Sequence, residues 1–389
     1  MSQVLSTDVV AAAQALVPHI QAARHEIETE RGLPASLVQE MARAGLFQLH
    51  LPRSMGGLEC DLLASVRVME TLAAAEGSVG WCASISSAIS YLVARLPPQV
   101  GITLFGQPPD ARLAGSLRPE GRSRLVEGGY RVSGRWDFAS GINHANWMYC
   151  SCVVEDDRGP CHTPEGVPMV RALMVPRDAV TVHDTWQVAG MRGTGSHDFE
   201  VDDVFVPHAH TLSVVDGVAH GGPLYHPRLL VIGAGAPTAG VALGLARGAI
   251  DALRAMAANT ASTMSTTALR DRPLVQRRVA EAEAIVGAAR AYLLDAMGQV
   301  WEAVTTDVPD PSAEVAQARL AMTHAMHESV KAVDRVFHAA GTNAVYEKNP
   351  LERYFRDVHV AVQHAVGRPE QFESAGKVLL GLRPDDIGW

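Results

Sequence analysis

Glu347-Lys-Asn-Pro-Leu-Glu-Arg-Tyr-Phe-Arg-Asp-Val-His-Val-Ala-Val-Gln-His-Ala-Val366 marks a helix start near the end of the chain, and the other segments fall into place around it. It follows a long apolar helical pattern and a break at Gly341-Thr-Asn343. Pro350 suits the first turn of a new helix, where an N–H would have no intrahelical partner anyway. From there Leu351, Phe355, Val358 and Val362 recur at helical spacing and define an apolar face. Arg353, Arg356 and Asp357 punctuate it, and His359 and His364 follow.

Working outward, residues 371–382 read as a last helix, and 313–340 as a long one closed by Gly341. Pro309-Asp-Pro311 separates that helix from 273–302, and 229–257 is a further amphipathic stretch. The character changes between about 113 and 215, where β-branched residues cluster in short runs between turn glycines. Strands are expected around 124–126, 130–133, 148–154, 172–176, 180–183 and 199–201, with a hairpin at Gly128-Gly129 and a surface loop over 156–168. The first 110 residues are helical again, over 9–20, 26–44 and 62–75, with a loop over 45–57. Gly77-Ser-Val-Gly-Trp81 opens another helix running to about Arg95, with Ser78 placed to cap it. The expected fold class is therefore mainly α with an inserted β region, divided at 1–112, 113–216 and 217–389.

The chain has 389 residues, enough for one large core or two to three closely packed units. A net charge of −9 and the lack of a long basic run argue against a nucleic-acid partner. Apolar content of 47% with only 5% aromatics points to an alanine-rich helical protein. Five scattered cysteines (Cys60, Cys82, Cys150, Cys152, Cys161) indicate a reducing, cytoplasmic setting rather than a disulfide framework. No basic-then-apolar leader and no uninterrupted apolar run of about 20 residues is seen, so neither a signal peptide nor a membrane span is expected. His208-Ala-His210 and His324-Ala-Met-His327 lack a complete ligand set, so no metal is expected. Gly233-Ala-Gly-Ala-Pro-Thr-Ala-Gly240 has the wrong spacing for a dinucleotide fingerprint and suits close helix packing instead.

Two further segments carry chemistry. Gly134-Arg-Trp-Asp-Phe-Ala-Ser-Gly-Ile-Asn-His-Ala-Asn-Trp147 places aromatics and a hydroxyl at the end of a strand. Trp186-Gln-Val-Ala-Gly-Met-Arg-Gly-Thr-Gly-Ser-His-Asp-Phe-Glu-Val201 is glycine- and hydroxyl-rich and leads into Asp202-Asp-Val-Phe-Val-Pro207. Taken as bare sequence, the first is a half-buried strand ending in a serine turn and the second a tight interstrand turn. His197 and Asp198 would form a structural pair.

Together with the helix at 350, these segments resemble the acyl-CoA dehydrogenase superfamily over nearly the whole chain. The resemblance implies an N-terminal helical domain, a middle β-barrel domain, a C-terminal four-helix bundle and a homotetramer. It puts Trp136, Phe138 and Ser140 beside the flavin isoalloxazine, with the Ser140 hydroxyl at the N5/O4 edge. It brings Thr194 and Ser196 to the flavin or substrate, with Gly193 and Gly195 allowing close backbone approach. Ser116, in Leu113-Ala-Gly-Ser-Leu117, occupies the first flavin-facing strand. An arginine ahead of the helix at 273 would reach the flavin phosphate of another subunit. The usual Arg-X-X-Phe pattern is absent there, with Ser262 and Ser265 at its place. Arg270 or Arg272 would substitute, or both are solvated charges, and FMN and FAD both stay open.

One departure sets the expected activity. The dehydrogenases remove a proton with a glutamate that would fall at Ala365, and no glutamate occurs between Glu200 and Glu281 to replace it. What remains resembles the two-component (group D) flavin-dependent monooxygenases of the same fold. That implies reduced FMN or FAD supplied by a separate NAD(P)H-flavin reductase, with O₂ reacting at flavin C4a to give a hydroperoxide. The substrate would be a small aromatic or heteroaromatic molecule. Ser140 would hold the N5 edge, while His364 would assist the hydroperoxide or deprotonate the substrate. The competing expectations are an acyl-CoA dehydrogenase or oxidase with a displaced base, and a non-catalytic scaffold that keeps the fold.

Overall fold

A computed structural model describes residues 2–106, 110–258, 260 and 267–384. Five helices come first: α1 (Ser2–Glu30), α2 (Ala35–Arg43), α3 (Leu62–Ala75), α4 (Gly77–Val93) and α5 (Pro98–Phe105). The helical pattern read over 26–44 is thus two helices. The chain breaks where Arg31 takes a left-handed φ of 53° and Pro34 removes a donor ahead of α2. At the start of α4 the capping side chain is Glu76 rather than Ser78, accepting from the Ser78 N–H at 3.5 Å.

Eight strands follow: β1 (Leu113–Val126), β2 (Gly129–Trp136), β3 (Trp147–Asp156), β4 (Gly159–Pro160), β5 (Val170–Pro176), β6 (Thr181–His183), β7 (Asp198–Pro207) and β8 (Thr211–Leu212). They form one sheet in the order β6-β7-β2-β1-β3-β5-β8, with β4 on β3. The path does not return on itself among the described residues, so the structure is a sheet where a barrel was expected. Val126 pairs with Gly129, which leaves a two-residue turn, and Gly128 adopts the φ of 79° that such a turn favours. The sheet has its own apolar core. At its centre the Trp136 indole fills a slot made by two glycines. A Cβ on Gly121 would sit 2.0 Å from that ring and one on Gly134 3.0 Å from it.

The second helical set is α6 (Leu230–Ala257), α7 (Pro273–Thr305), α8 (Ser312–Ala340), α9 (Pro350–Ala361) and α10 (Glu370–Leu379). The α6 glycines serve packing, as their spacing implied. A Cβ on Gly240 would lie 2.6 Å from the Val66 carbonyl, and one on Gly244 2.5 Å from that of Glu70, so α6 rests directly on α3. Residues 227–257 are long and apolar enough to cross a membrane by length and composition, but Arg247, Asp251 and Arg254 interrupt the run, and 83% of its most apolar stretch, of mean hydropathy 1.8, is buried inside the fold as in a core helix. Asn349 caps α9 by accepting from the Leu351 N–H at 3.0 Å. Leu351 and Val358 are fully buried, and Phe355 stacks on Phe337 of α8 at 4.1 Å. One continuous apolar core joins the helices before and after the sheet. This fixes α9 against the elements that carry the candidate site.

Candidate active site

The two motif segments of the β region meet where β2 ends. Trp136 is its last residue, and Phe138 then takes a left-handed φ of 57°. Such a conformation is costly for a bulky side chain and marks a locally imposed shape. Two main-chain bonds hold the loop to the second motif: Ala139 N–H to His197 O at 3.2 Å and Gly141 N–H to Thr194 O at 2.8 Å. The second motif turns through Met191, also left-handed at φ 56°. On the side where a Cβ would stand, its glycines make room for protein. A Cβ on Gly193 would lie 2.1 Å from Ile27 and 3.0 Å from Ser78, and one on Gly195 2.5 Å from Asn143.

This closure brings three buried hydroxyls into a row. Ser140 Oγ lies 2.7 Å from Ser196 Oγ, which lies 2.6 Å from Thr194 Oγ1. Thr194 Oγ1 donates to the Met191 carbonyl at 2.8 Å. At the other end the Trp81 indole N–H, from α4, donates to Ser140 Oγ at 3.1 Å. His364 meets the same indole edge to face, with ring centroids 5.4 Å apart. The Val366 N–H approaches His364 Nδ1 at 3.4 Å, closing the short turn after α9. Burial, with Arg368 adding to it, pushes the His364 pKa down to about 4, so the ring is neutral at pH 7.

Beside this row is an open aromatic face. Phe138 is 57% exposed and sits edge-on to Trp186, with centroids 6.0 Å apart. The Arg118 guanidinium lies 5.8 Å from its centroid and is held by Asp137 at 2.7 Å. Ser116, on β1, is nearly buried, and its Oγ accepts from the Arg118 N–H at 3.4 Å. Trp136 requires correction. It is fully buried, stacks on Phe199 at 5.0 Å and donates to the Ser151 carbonyl at 2.8 Å, so it belongs to the sheet core and offers no face to a ligand.

Comparison with known proteins decides what this arrangement belongs to. Residues 7–97 match the acyl-CoA dehydrogenase N-terminal domain, and 236–369 match the acyl-CoA dehydrogenase C-terminal domain. The indole-3-acetate monooxygenase of Pseudomonas putida is 31% identical over 360 residues, covering 92% of this chain and 90% of that protein. The chain belongs to the acyl-CoA dehydrogenase family, in its flavin-dependent monooxygenase branch. The flavin-dependent monooxygenase oxygenase subunit HsaA of Mycobacterium tuberculosis is 29% identical over 394 residues, covering 97% and 96%. Among solved structures, XiaF from Streptomyces sp., in complex with FADH2 and glycerol, superposes with a TM-score of 0.88 at 26% identity, covering 100% of this chain and 98% of that one.

A charged layer of this family member, which sequence reasoning missed, lies behind the hydroxyl row. Asp357 on α9 is buried, and its Oδ1 accepts the Met191 N–H at 2.5 Å. Arg353 pairs with buried Glu76 at 2.9 Å, and Arg356 pairs with Glu28 at 3.0 Å and Glu352 at 2.5 Å. Arg356 also donates to the Ala189 carbonyl, tying α9 to the same loop. Burial, reinforced by the Glu76 charge, pushes the Asp357 carboxyl up to about 8. The Arg353-Arg356-Asp357 spacing signalled an ionic helix, but nothing in the sequence gave its partners.

The remaining expected residues lie elsewhere. Arg270, just ahead of α7, is exposed, and among the described residues its guanidinium approaches Asp271 at 3.8 Å. Ser262 and Ser265 lie outside the described residues. His197 does not pair with Asp198. It accepts the Trp186 N–H at 3.3 Å, while Asp198 pairs with Arg135 at 2.9 Å. His208 packs on Tyr130 and His210 on Trp147, while His327 bonds the Gly367 carbonyl at 2.8 Å. Cys150 and Cys152 are buried thiols within the sheet. A cavity of about 890 Å³ opens between α1, α3, α6 and the start of α9, and neither Ser140 nor His364 lines it.

Proposed function

We propose that this protein is the oxygenase component of a two-component monooxygenase, oxygenating a small aromatic or heteroaromatic molecule with reduced flavin and O₂. The observation that carries the reading is the assembly of Ser140, Trp81 and His364 at one point, with Ala365 where a dehydrogenase would carry its base. The residues fit a flavin. An exposed aromatic ring in a strained backbone stands next to a serine with bonding capacity to spare. Bound reduced flavin, delivered by a separate NAD(P)H-flavin reductase, supplies the electrons that activate O₂. The FADH2 in XiaF favours FAD over FMN as the form used.

The chain's own residues then divide the work. Phe138 covers one face of the isoalloxazine, and Ser140 meets its N5 edge. Ser116 faces it from β1, and Arg270 reaches the flavin phosphate of a neighbouring subunit in a homotetramer. Residues 1–112, 113–216 and 217–389 act as three domains, the last a four-helix bundle, with the flavin site where they meet. His364 has Nδ1 turned to the Val366 N–H, so its single proton resides on Nε2. A neutral imidazole in that tautomer donates a hydrogen bond to a substrate oxygen rather than removing a proton. Excluding water around it would favour transfer of oxygen to the substrate over release of hydrogen peroxide.

The test is His364→Ala, supplied with reductase and an aromatic substrate that the wild type converts. Hydrogen peroxide per NADH should rise and hydroxylated product should fall. Unchanged coupling would remove His364 from the site.

A further inference from the structure

We infer that Thr194 and Ser196 are positioning residues that fix the proton of Ser140, making the site selective for reduced over oxidised flavin. This rests on the proposed flavin site and adds the device that sets its redox preference.

The inference comes from counting protons. The row has four links: Trp81 Nε1 to Ser140 at 3.1 Å, Ser140 to Ser196 at 2.7 Å, Ser196 to Thr194 at 2.6 Å, and Thr194 to the Met191 carbonyl at 2.8 Å. One end, the indole N–H, can only donate. The other end, a carbonyl, can only accept. Between them stand three hydroxyls, each with one proton and two lone pairs. Four protons therefore serve four links, and only one direction satisfies them all. The indole donates to Ser140, Ser140 to Ser196, Ser196 to Thr194, and Thr194 to the carbonyl.

The direction has a chemical consequence at the open end. The Ser140 proton is committed to Ser196, and one of its lone pairs holds the indole N–H. What remains is a single lone pair, so Ser140 can only accept. Reduced flavin carries a proton on N5 and can donate to it. Oxidised flavin has a bare nitrogen lone pair there, which would face the serine lone pair. Thr194 and Ser196 are each 2% exposed, so water does not compete to reorient the row. The Met191 carbonyl that sets the direction also accepts the Trp186 indole N–H at 3.0 Å, and Asp357 holds the N–H of the same residue.

The experiment measures the dissociation constants of oxidised FAD and of dithionite-reduced FAD under anaerobic conditions, by equilibrium dialysis. It compares wild type with Ser196→Ala, Thr194→Val and Thr194→Ser. Wild type should bind the reduced form more tightly. Ser196→Ala and Thr194→Val release the Ser140 proton to turn towards N5, and should shrink the oxidised-to-reduced ratio roughly five- to tenfold, the scale of one hydrogen bond. Thr194→Ser keeps a hydroxyl and should keep the ratio. A merely structural role would weaken both redox forms together and leave the ratio unmoved, and that result overturns the inference. So does a wild type that binds both forms equally, which leaves the flavin site itself standing. A wild type that binds neither form overturns the proposed function as well.

Discussion

Two buried polar clusters meet on Met191, one made of hydroxyls and the other of charges. The hydroxyl row ends on its carbonyl, and the charged layer on α9 ends on its N–H. The first is closed: every proton has an acceptor, and no member titrates near neutrality. The second is not closed, because Asp357 Oδ2 has no hydrogen-bond partner and its carboxyl is pushed up to about 8. The pair separates two ways of fixing a loop. Neutral hydroxyls give direction that is insensitive to pH. Charges give a stronger grip, but one that depends on which carboxyl holds a proton.

The largest effect should come from cutting the charged side. Arg353→Met leaves Glu76, 2% exposed, without its cation. A buried charge stripped of its partner costs about 3–5 kcal/mol, read as a drop in urea-unfolding free energy. A loss below about 1 kcal/mol would mean the layer holds the loop no better than a surface pair does.

Next comes Asp357→Asn, measured against pH. A raised carboxyl pKa means that the native state keeps a proton the unfolded chain has already lost. Wild-type stability should therefore fall as pH climbs from about 4 towards about 8, then level off. Asparagine can still accept the Met191 N–H and has no charge to bury. It should match wild type near pH 5 and exceed it by on the order of 3–4 kcal/mol at pH 8, about 1.4 kcal/mol for each pH unit crossed. Parallel profiles for the two proteins would sink the idea that Asp357 is the titrating member.

Thr194→Val sharpens the contrast from the other side. It should cost about 1 kcal/mol, the worth of one buried hydrogen bond, by the same amount at pH 5 and pH 8. A pH-dependent loss would show that the two clusters are coupled through Met191. The smallest effect belongs to Asp137→Asn. It removes the partly exposed Arg118–Asp137 pair beside Phe138 and should change the melting free energy by no more than about 0.5 kcal/mol.

How much of this was legible beforehand varies residue by residue. The start of α9 was, because Asn349-Pro350 and the apolar spacing after it are local signals. The meeting of β2 with the glycine-rich turn followed from family resemblance. Trp136 was misread for a physical reason. The resemblance put Trp136 beside Phe138, which would hold if the strand ran on and residues two apart kept sharing a face. The strand ends at Trp136, and the left-handed turn at Phe138 sends the two rings to different places. At Gly193 and Gly195 the sequence shows that a Cβ is missing but not that Ile27, Ser78 and Asn143 stand where it would be. The Asp357–Met191 bond was invisible because it joins residues 166 apart and uses a main-chain atom on one side.

That last feature bears on how such proteins diverge. Met191 contributes only its peptide N–H and its carbonyl to the two clusters, never its side chain. The joint is therefore inherited with the path of the backbone, and side chains at 191 are restricted by the left-handed φ of 56° and by burial rather than by any bond they make to the clusters. Descendants of this chain can redraw the side chains around a new substrate while the connection between helix and loop passes down unchanged.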